Sequence, residues 1–217
     1  ASTAVSQEIN GESVPTGTGI KVSTDYGLNW SAYPQPTDSQ SDSTIVYGSN
    51  TIYALPVTVT QQNLTYDIAI TKTQNDPSNY TIWICSFAGG LRKSTDYGAT
   101  WIRVLLPPDD LDSINVNDTG YTFTLNPRDN LNQRVFTIAA VDDSTLYVGT
   151  AGGINVSNSW GVNWRNYKFQ NTVFVKMDIE GHELEALRGA QKSLEKGMIK
   201  ALSFEFGAVG AATAGGD

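Results

Sequence analysis

The sequence predicts a mainly β protein whose C-terminal end changes to a βαβ unit, and three observations carry that reading. Aromatic residues make up 10% and charged residues 17% of the 217, with 20 Gly and 8 Pro, the balance of turn-rich β proteins. A short Gly-to-Trp segment recurs three times before residue 165. Finally, no Glu occurs between residues 13 and 171, yet Glu180, Glu183, Glu185, Glu195 and Glu205 crowd the end, while all five Trp lie earlier.

The balance of charge narrows the partners. A formal net charge of −8 and a pI near 4.6 argue against nucleic acid and anionic lipid, since such binding draws on Lys and Arg that neutralise phosphates. Cys85 is the single cysteine, so neither an intrachain disulfide nor a cysteine metal cage can form, and it is expected as a small buried apolar residue. No apolar run approaches the ~20 residues of a membrane helix, and Ala1-Ser2-Thr3-Ala4 carries no basic-then-apolar signal.

Taken in order, residues 1–16 read as an N-terminal lead. The first repeat runs from Gly19 to Trp30, the second from Gly90 to Trp101 and the third from Gly153 to Trp164. Their shared pattern, S-x-D-x-G-x-x-W, places Ser23, Asp25, Gly27 and Trp30 in register with Ser94, Asp96, Gly98 and Trp101, and with Ser157, Gly161 and Trp164; Ser159 replaces the third Asp. Strands are expected at 51–55, 66–71, 80–85, 135–141 and 144–149, where β-branched and aromatic residues gather. The polar stretches 37–44 and 107–119 read as inserted loops.

The physical sense of the pattern is a tight turn. Ser starts it, Asp accepts N–H bonds across it, Gly supplies a backbone conformation that side chains disfavour, and Trp packs beneath. These segments resemble the Asp-box (BNR) repeat family of sialidases, sortilin-type receptors and bacterial propellers. The resemblance implies a partial β-propeller over residues 17–171, with the boxes structural and at the blade periphery. Three boxes fall short of the four to eight blades of a closed propeller. In this family sialidases use an arginine cluster, a Tyr with a Glu partner and an Asp acid; Arg92, Arg103, Arg128, Arg134 and Arg165 are present, but the blades have no Glu after residue 12.

From Thr172 onward a helix is expected over 181–196, with Leu184, Leu187, Gln191 and Leu194 on one stripe, acids in its first turn and Gly197 as its C-cap. Strands at 173–179 and 199–206 flank it, completing a βαβ unit. The run from Phe174 to Ala190, with Lys176, Asp178, Glu180, Gly181 and Glu183, resembles FkbM-type S-adenosylmethionine-dependent methyltransferases, and 199–207 is similar to the next strand of that family. The resemblance implies site-lining, cofactor-binding roles for Asp178, Glu180 and His182. The family's cofactor-binding front half has no counterpart upstream: Gly17, Gly19, Gly152 and Gly153 precede hairpins. Residues 208–217 read as a flexible tail.

The function expected is therefore a secreted or cell-surface scaffold or binding module, its export signal outside this chain, with a protein or glycan partner, no cofactor, no metal and no catalytic residue of its own. Two alternatives stand beside it. One is an S-adenosylmethionine-dependent methyltransferase fragment; the other is a glycan-binding or sialidase-like protein, with Tyr33 and Tyr121 as loop aromatics.

Overall fold

The computed structural model describes residues 2–33, 44–55, 64–86, 89–127 and 129–168, and beyond these 174–177, 187–188, 191, 194–195, 197, 199 and 201–204. The chain divides into two compact units, Ala1–Lys168 and Phe169–Asp217.

The first unit is built of antiparallel strands. β1 (Ser2–Ile9), β2 (Glu12–Val22) and β3 (Ser31–Tyr33) form one sheet in that order. Ile9 pairs with Glu12 across Asn10 and Gly11, whose φ angles are 54° and 83°, the two-residue turn whose twist matches paired strands. Residues 2–16, expected as a lead, are thus strand paired into the first repeat. β4 (Thr44–Tyr47) and β5 (Asn50–Ala54) make a hairpin. β6 (Thr65–Thr73), β7 (Asp76–Ser86), β8 (Gly90–Ser94) and β9 (Ile102–Arg103) form a four-stranded antiparallel meander in chain order.

Beyond it lie β10 (Ser113–Ile114), β11 (Thr124–Leu125), a 3-10 turn (Leu131–Gln133), β12 (Val135–Ala140), β13 (Leu146–Thr150), β14 (Gly153–Ser157) and β15 (Trp164–Lys168). β12 to β15 repeat the meander, and β10 adds to the outside of β15. β11 instead runs parallel to β5. The stretch 107–119 is accordingly more than an inserted loop: it donates β10, and Asp109 accepts the N–H groups of Leu131 at 2.8 Å and Asn132 at 3.1 Å. These bonds supply partners for two of the donors that a helical turn leaves open.

Alternation of buried and exposed residues explains the core. In β13 Leu146, Val148 and Thr150 point inward while Tyr147 points out, the period of two that a half-buried strand requires. The main core joins Trp83, Cys85, Leu91, Val135, Leu146, Val148 and Trp164 with Ile52 and Leu125. Cys85 is a fully buried free thiol within it, as expected, and burial pushes its pKa up. A second cluster, Ile20, Ile84 and Trp101, joins β2 to the first meander. The two meanders are tied by Asp67, which accepts from the Ile138 N–H at 2.9 Å and the Thr137 hydroxyl at 2.7 Å. Burial alone would raise the Asp67 pKa, but these donors and the Ile68 N–H outweigh it and hold the value down.

In the second unit β16 (Phe174–Met177) and β17 (Ala201–Phe204) pair in parallel, Phe174 opposite Ala201 and Met177 opposite Phe204. Between them in sequence, residues 187, 188, 191, 194 and 195 are helical. Gly197, at φ 63°, donates its N–H to the Leu194 carbonyl at 2.9 Å, the left-handed ending proper to a helix C-terminus. The fold is mainly β, and the described residues form five sheets of which none closes. Among the described residues no sheet arrangement of a propeller and no full βαβ unit is seen.

Candidate functional site

The three repeats fold into one and the same turn. Each joins two antiparallel strands: β2 to β3, β8 to β9 and β14 to β15. In the first, the Ser23 hydroxyl accepts the Gly27 N–H at 2.7 Å and donates to Asp25 at 2.8 Å, and Asp25 accepts the Asn29 N–H at 2.9 Å. The second repeats these contacts: Gly98 N–H to Ser94 at 2.8 Å, Ser94 to Asp96 at 2.7 Å and Thr100 N–H to Asp96 at 2.9 Å. The third does so without the acid. Ser157 accepts the Gly161 N–H at 3.0 Å, and the Ser159 hydroxyl accepts the Asn163 N–H at 2.9 Å.

The glycines adopt φ 88°, 91° and 70°, and the aromatic residues before them, Tyr26, Tyr97 and Trp160, adopt 60°, 58° and 53°. Two successive left-handed residues, one of them bulky, make a strained pair that persists because the Ser and Asp acceptors fix both ends of the turn. The sequence pattern pointed to the glycine and not to the residue before it. The acids respond electrostatically. The backbone and side-chain donors of Asn29 hold the Asp25 carboxyl down to about 2, and the Thr100 hydroxyl and N–H lower Asp96.

Where the tryptophans go decides what these turns do. Trp101 and Trp164 are 4% and 2% exposed, whereas Trp30 is 52% exposed. Trp30 and Trp164 each donate their indole N–H to the carbonyl of their own turn glycine at 3.0 Å. Trp101 packs against Ile20 of the first sheet, and the third turn abuts Trp83 of the first meander, whose ring a Cβ on Gly161 would meet at 2.4 Å. The second and third turns are therefore joints between neighbouring sheets, with Trp101 and Trp164 buried in them.

Behind the third turn lies a polar cluster that the repeat pattern did not reveal. The Asn132 side-chain carbonyl accepts from Thr150 at 2.6 Å, Asn155 at 3.2 Å and Asn166 at 3.0 Å, and its amide donates to the Pro107 carbonyl at 3.0 Å. All four residues are buried. Asn155 and Asn166 face each other across β14 and β15, so the signal was there only as polar residues at inward positions of apolar strands. Of the five arginines named above, Arg92 and Arg103 are opposed across β8 and β9 and both are buried, and Arg128 lies outside the described residues. Arg103 donates to the Leu55 carbonyl at 3.0 Å, Arg134 to the Pro127 carbonyl at 2.8 Å, and Arg165 sits over the Tyr167 ring.

The remaining candidates belong to the second unit. Asp178 follows the last residue of β16 in sequence and Glu205 the last residue of β17, the end of a parallel pair where open α/β sheets place ligands. Asp178, Glu180 and His182 themselves lie outside the described residues. The family model of the Methyltransferase FkbM domain matches residues 115–212. The match takes in less than half of the chain and begins just past β10, so it spans β11 to β15 as well as the parallel pair. No curated protein matches the chain.

A methyltransferase of that family implies S-adenosylmethionine. The described residues of the first unit do not fit it: Gly152 and Gly153 lie at the turn between β13 and β14, and Gly17 and Gly19 inside β2. None opens a helix whose N-terminus could cradle the cofactor. Among the described residues, no three His, Cys, Asp or Glu side chains gather to hold a metal ion, and no helix is long and apolar enough to cross a membrane.

Proposed function

We propose that the chain is a piece of an FkbM-type S-adenosylmethionine-dependent methyltransferase, with Asp178, Glu180 and His182 lining the site at the carboxyl end of β16. The family match over residues 115–212 is the observation that carries this; the parallel β16–β17 pair supports it, because that pairing needs the crossover such enzymes use. Titration of the whole chain with S-adenosylmethionine in a calorimeter tests the reading. Saturable binding that Asp178→Asn and Glu180→Gln each weaken by about tenfold or more supports it. Absence of binding at millimolar cofactor refutes it.

A second reading rests on a different observation, the identity of three turns in hydrogen-bond pattern and backbone. It makes residues 17–171 Asp-box blades of a secreted or cell-surface scaffold with a protein or glycan partner and no catalytic centre. A glycan array and a sialoside turnover assay, both silent, would leave protein contact as the role of that region.

A further inference from the structure

The first unit holds a cavity of about 180 Å³ between β4, β9 and the third turn. Its wall is largely hydrocarbon, from Ile45, Val104, Leu105 and Val116, and Lys93 and Arg103 are the charged residues that line it. Every lining residue is among those described, and none is Asp or Glu. Arg103 is anchored by its bond to the Leu55 carbonyl. Among the described residues Lys93 has no ion pair or hydrogen bond; its ammonium lies 5.6 Å from the centre of the Trp83 ring, and burial lowers its pKa. A half-buried cation that among the described residues meets an aromatic face and no carboxylate favours a counter-charge, here beside an apolar space open to a small molecule.

We propose that this cavity binds a small organic monocarboxylate, its carboxylate on the Lys93 ammonium beside Arg103 and its hydrocarbon tail against Ile45, Val104, Leu105 and Val116. The volume sets the size: an apolar cavity of roughly 150 Å³ accommodates benzene, with its six heavy atoms, so a chain of about four carbons fits and a sugar does not. The carboxylate restores the missing charge partner, and a charge-assisted bond in such a setting is the strong kind.

The test uses the whole chain and sodium butyrate, with butyramide as the neutral isostere and inorganic phosphate as a compact anion. Perturbation of amide resonances lining the cavity gives Kd. Butyrate is expected to saturate with a Kd on the order of millimolar, as suits so small a ligand. Butyramide and phosphate should each bind at least about tenfold more weakly, and Lys93→Met, which keeps the stem over Trp83, should weaken butyrate by a similar factor. The comparison of butyrate with butyramide uses the unaltered protein, so it stands even where the variant fails to fold. Equal binding of butyrate and butyramide, phosphate binding as tight as butyrate, or no saturation by butyrate up to about 50 mM each overturns the proposal.

Discussion

Replacing the glycine of each repeat by alanine separates what the three turns share from what they do not. All three glycines have left-handed φ, 88°, 91° and 70°, so alanine brings each a backbone strain of about 1–2 kcal/mol. Their surroundings differ. A Cβ on Gly27 would sit 3.8 Å from Trp30 and one on Gly98 3.5 Å from Trp101, both ordinary contacts, whereas on Gly161 it would meet the Trp83 ring at 2.4 Å and 2.8 Å. Trp83 is 1% exposed and cannot move without disturbing the core, which adds an overpacking cost of about 1–3 kcal/mol. Gly161→Ala should thus cost about 2–5 kcal/mol and the other two about 1–2, or about 2–4 °C of Tm per kcal/mol for a chain of this size. Urea unfolding followed by tryptophan fluorescence and circular dichroism measures all three. Equal losses for Gly98→Ala and Gly161→Ala would refute the argument, because then no close approach joins the third turn to the first meander.

Three further outcomes follow from the same geometry. Ser159→Asp should stabilise the third turn by about 0.5–1.5 kcal/mol by giving the Asn163 N–H a charged acceptor, read as slower hydrogen exchange at that amide; unchanged exchange would refute it. Asp25, held at about 2 against an ordinary 3.8, adds stability that is complete above pH ~4 and lost as pH falls through ~2. The Asn29 amide should lose protection across that window, and Asp25→Asn should abolish the dependence; a midpoint near 3.8 would show that the carboxylate accepts no such bonds. Trp101→Ala and Trp164→Ala should each cost about 3–5 kcal/mol and Trp30→Ala, largely exposed, under about 1, in the same urea experiment; a comparable loss at Trp30 would mean that another surface covers it.

How much of this was legible in the sequence varies with the range of the interaction. The repeats were legible because a turn is local: Ser23, Asp25 and Gly27 meet within five residues, and the pattern alone dictates their bonds. The first hairpin was equally local, since Asn10 and Gly11 flanked by strand formers mark a two-residue turn, and a reading of 1–16 as a lead gave that pair no weight. Position 26 was not legible, because nothing in a tyrosine announces φ 60°; the neighbouring bonds impose it. The sheet-to-sheet contacts were out of reach for a different reason. Asp67 meets Thr137, and Gly161 meets Trp83, across 70 and 78 residues of chain, and alternation says which residues face inward but not what they face. Lys93 was hidden in the same way: in a strand where Leu91 is buried, it shares that inward face and reads as an exception to the pattern rather than as the wall of a cavity.

Residues 115–168 are described in two ways, by the family match and by the third repeat, and local physics decides between them for the backbone. β12 to β15 are antiparallel, with one register shift between Val135 and Thr137, and the Ser157–Gly161 bond repeats that of the other two turns while the Trp164 bond repeats that of the first. A cofactor-binding front half would instead require a strand, a glycine turn and a helix, with parallel pairing across a crossover. The portion of the match compatible with that chemistry is the parallel pair from Phe174 to Phe204. Any methyltransferase role therefore rests on the second unit, and its failure would leave the hairpins, their buried tryptophans and the Lys93 cavity untouched, since each of those is fixed by contacts within residues 2–168.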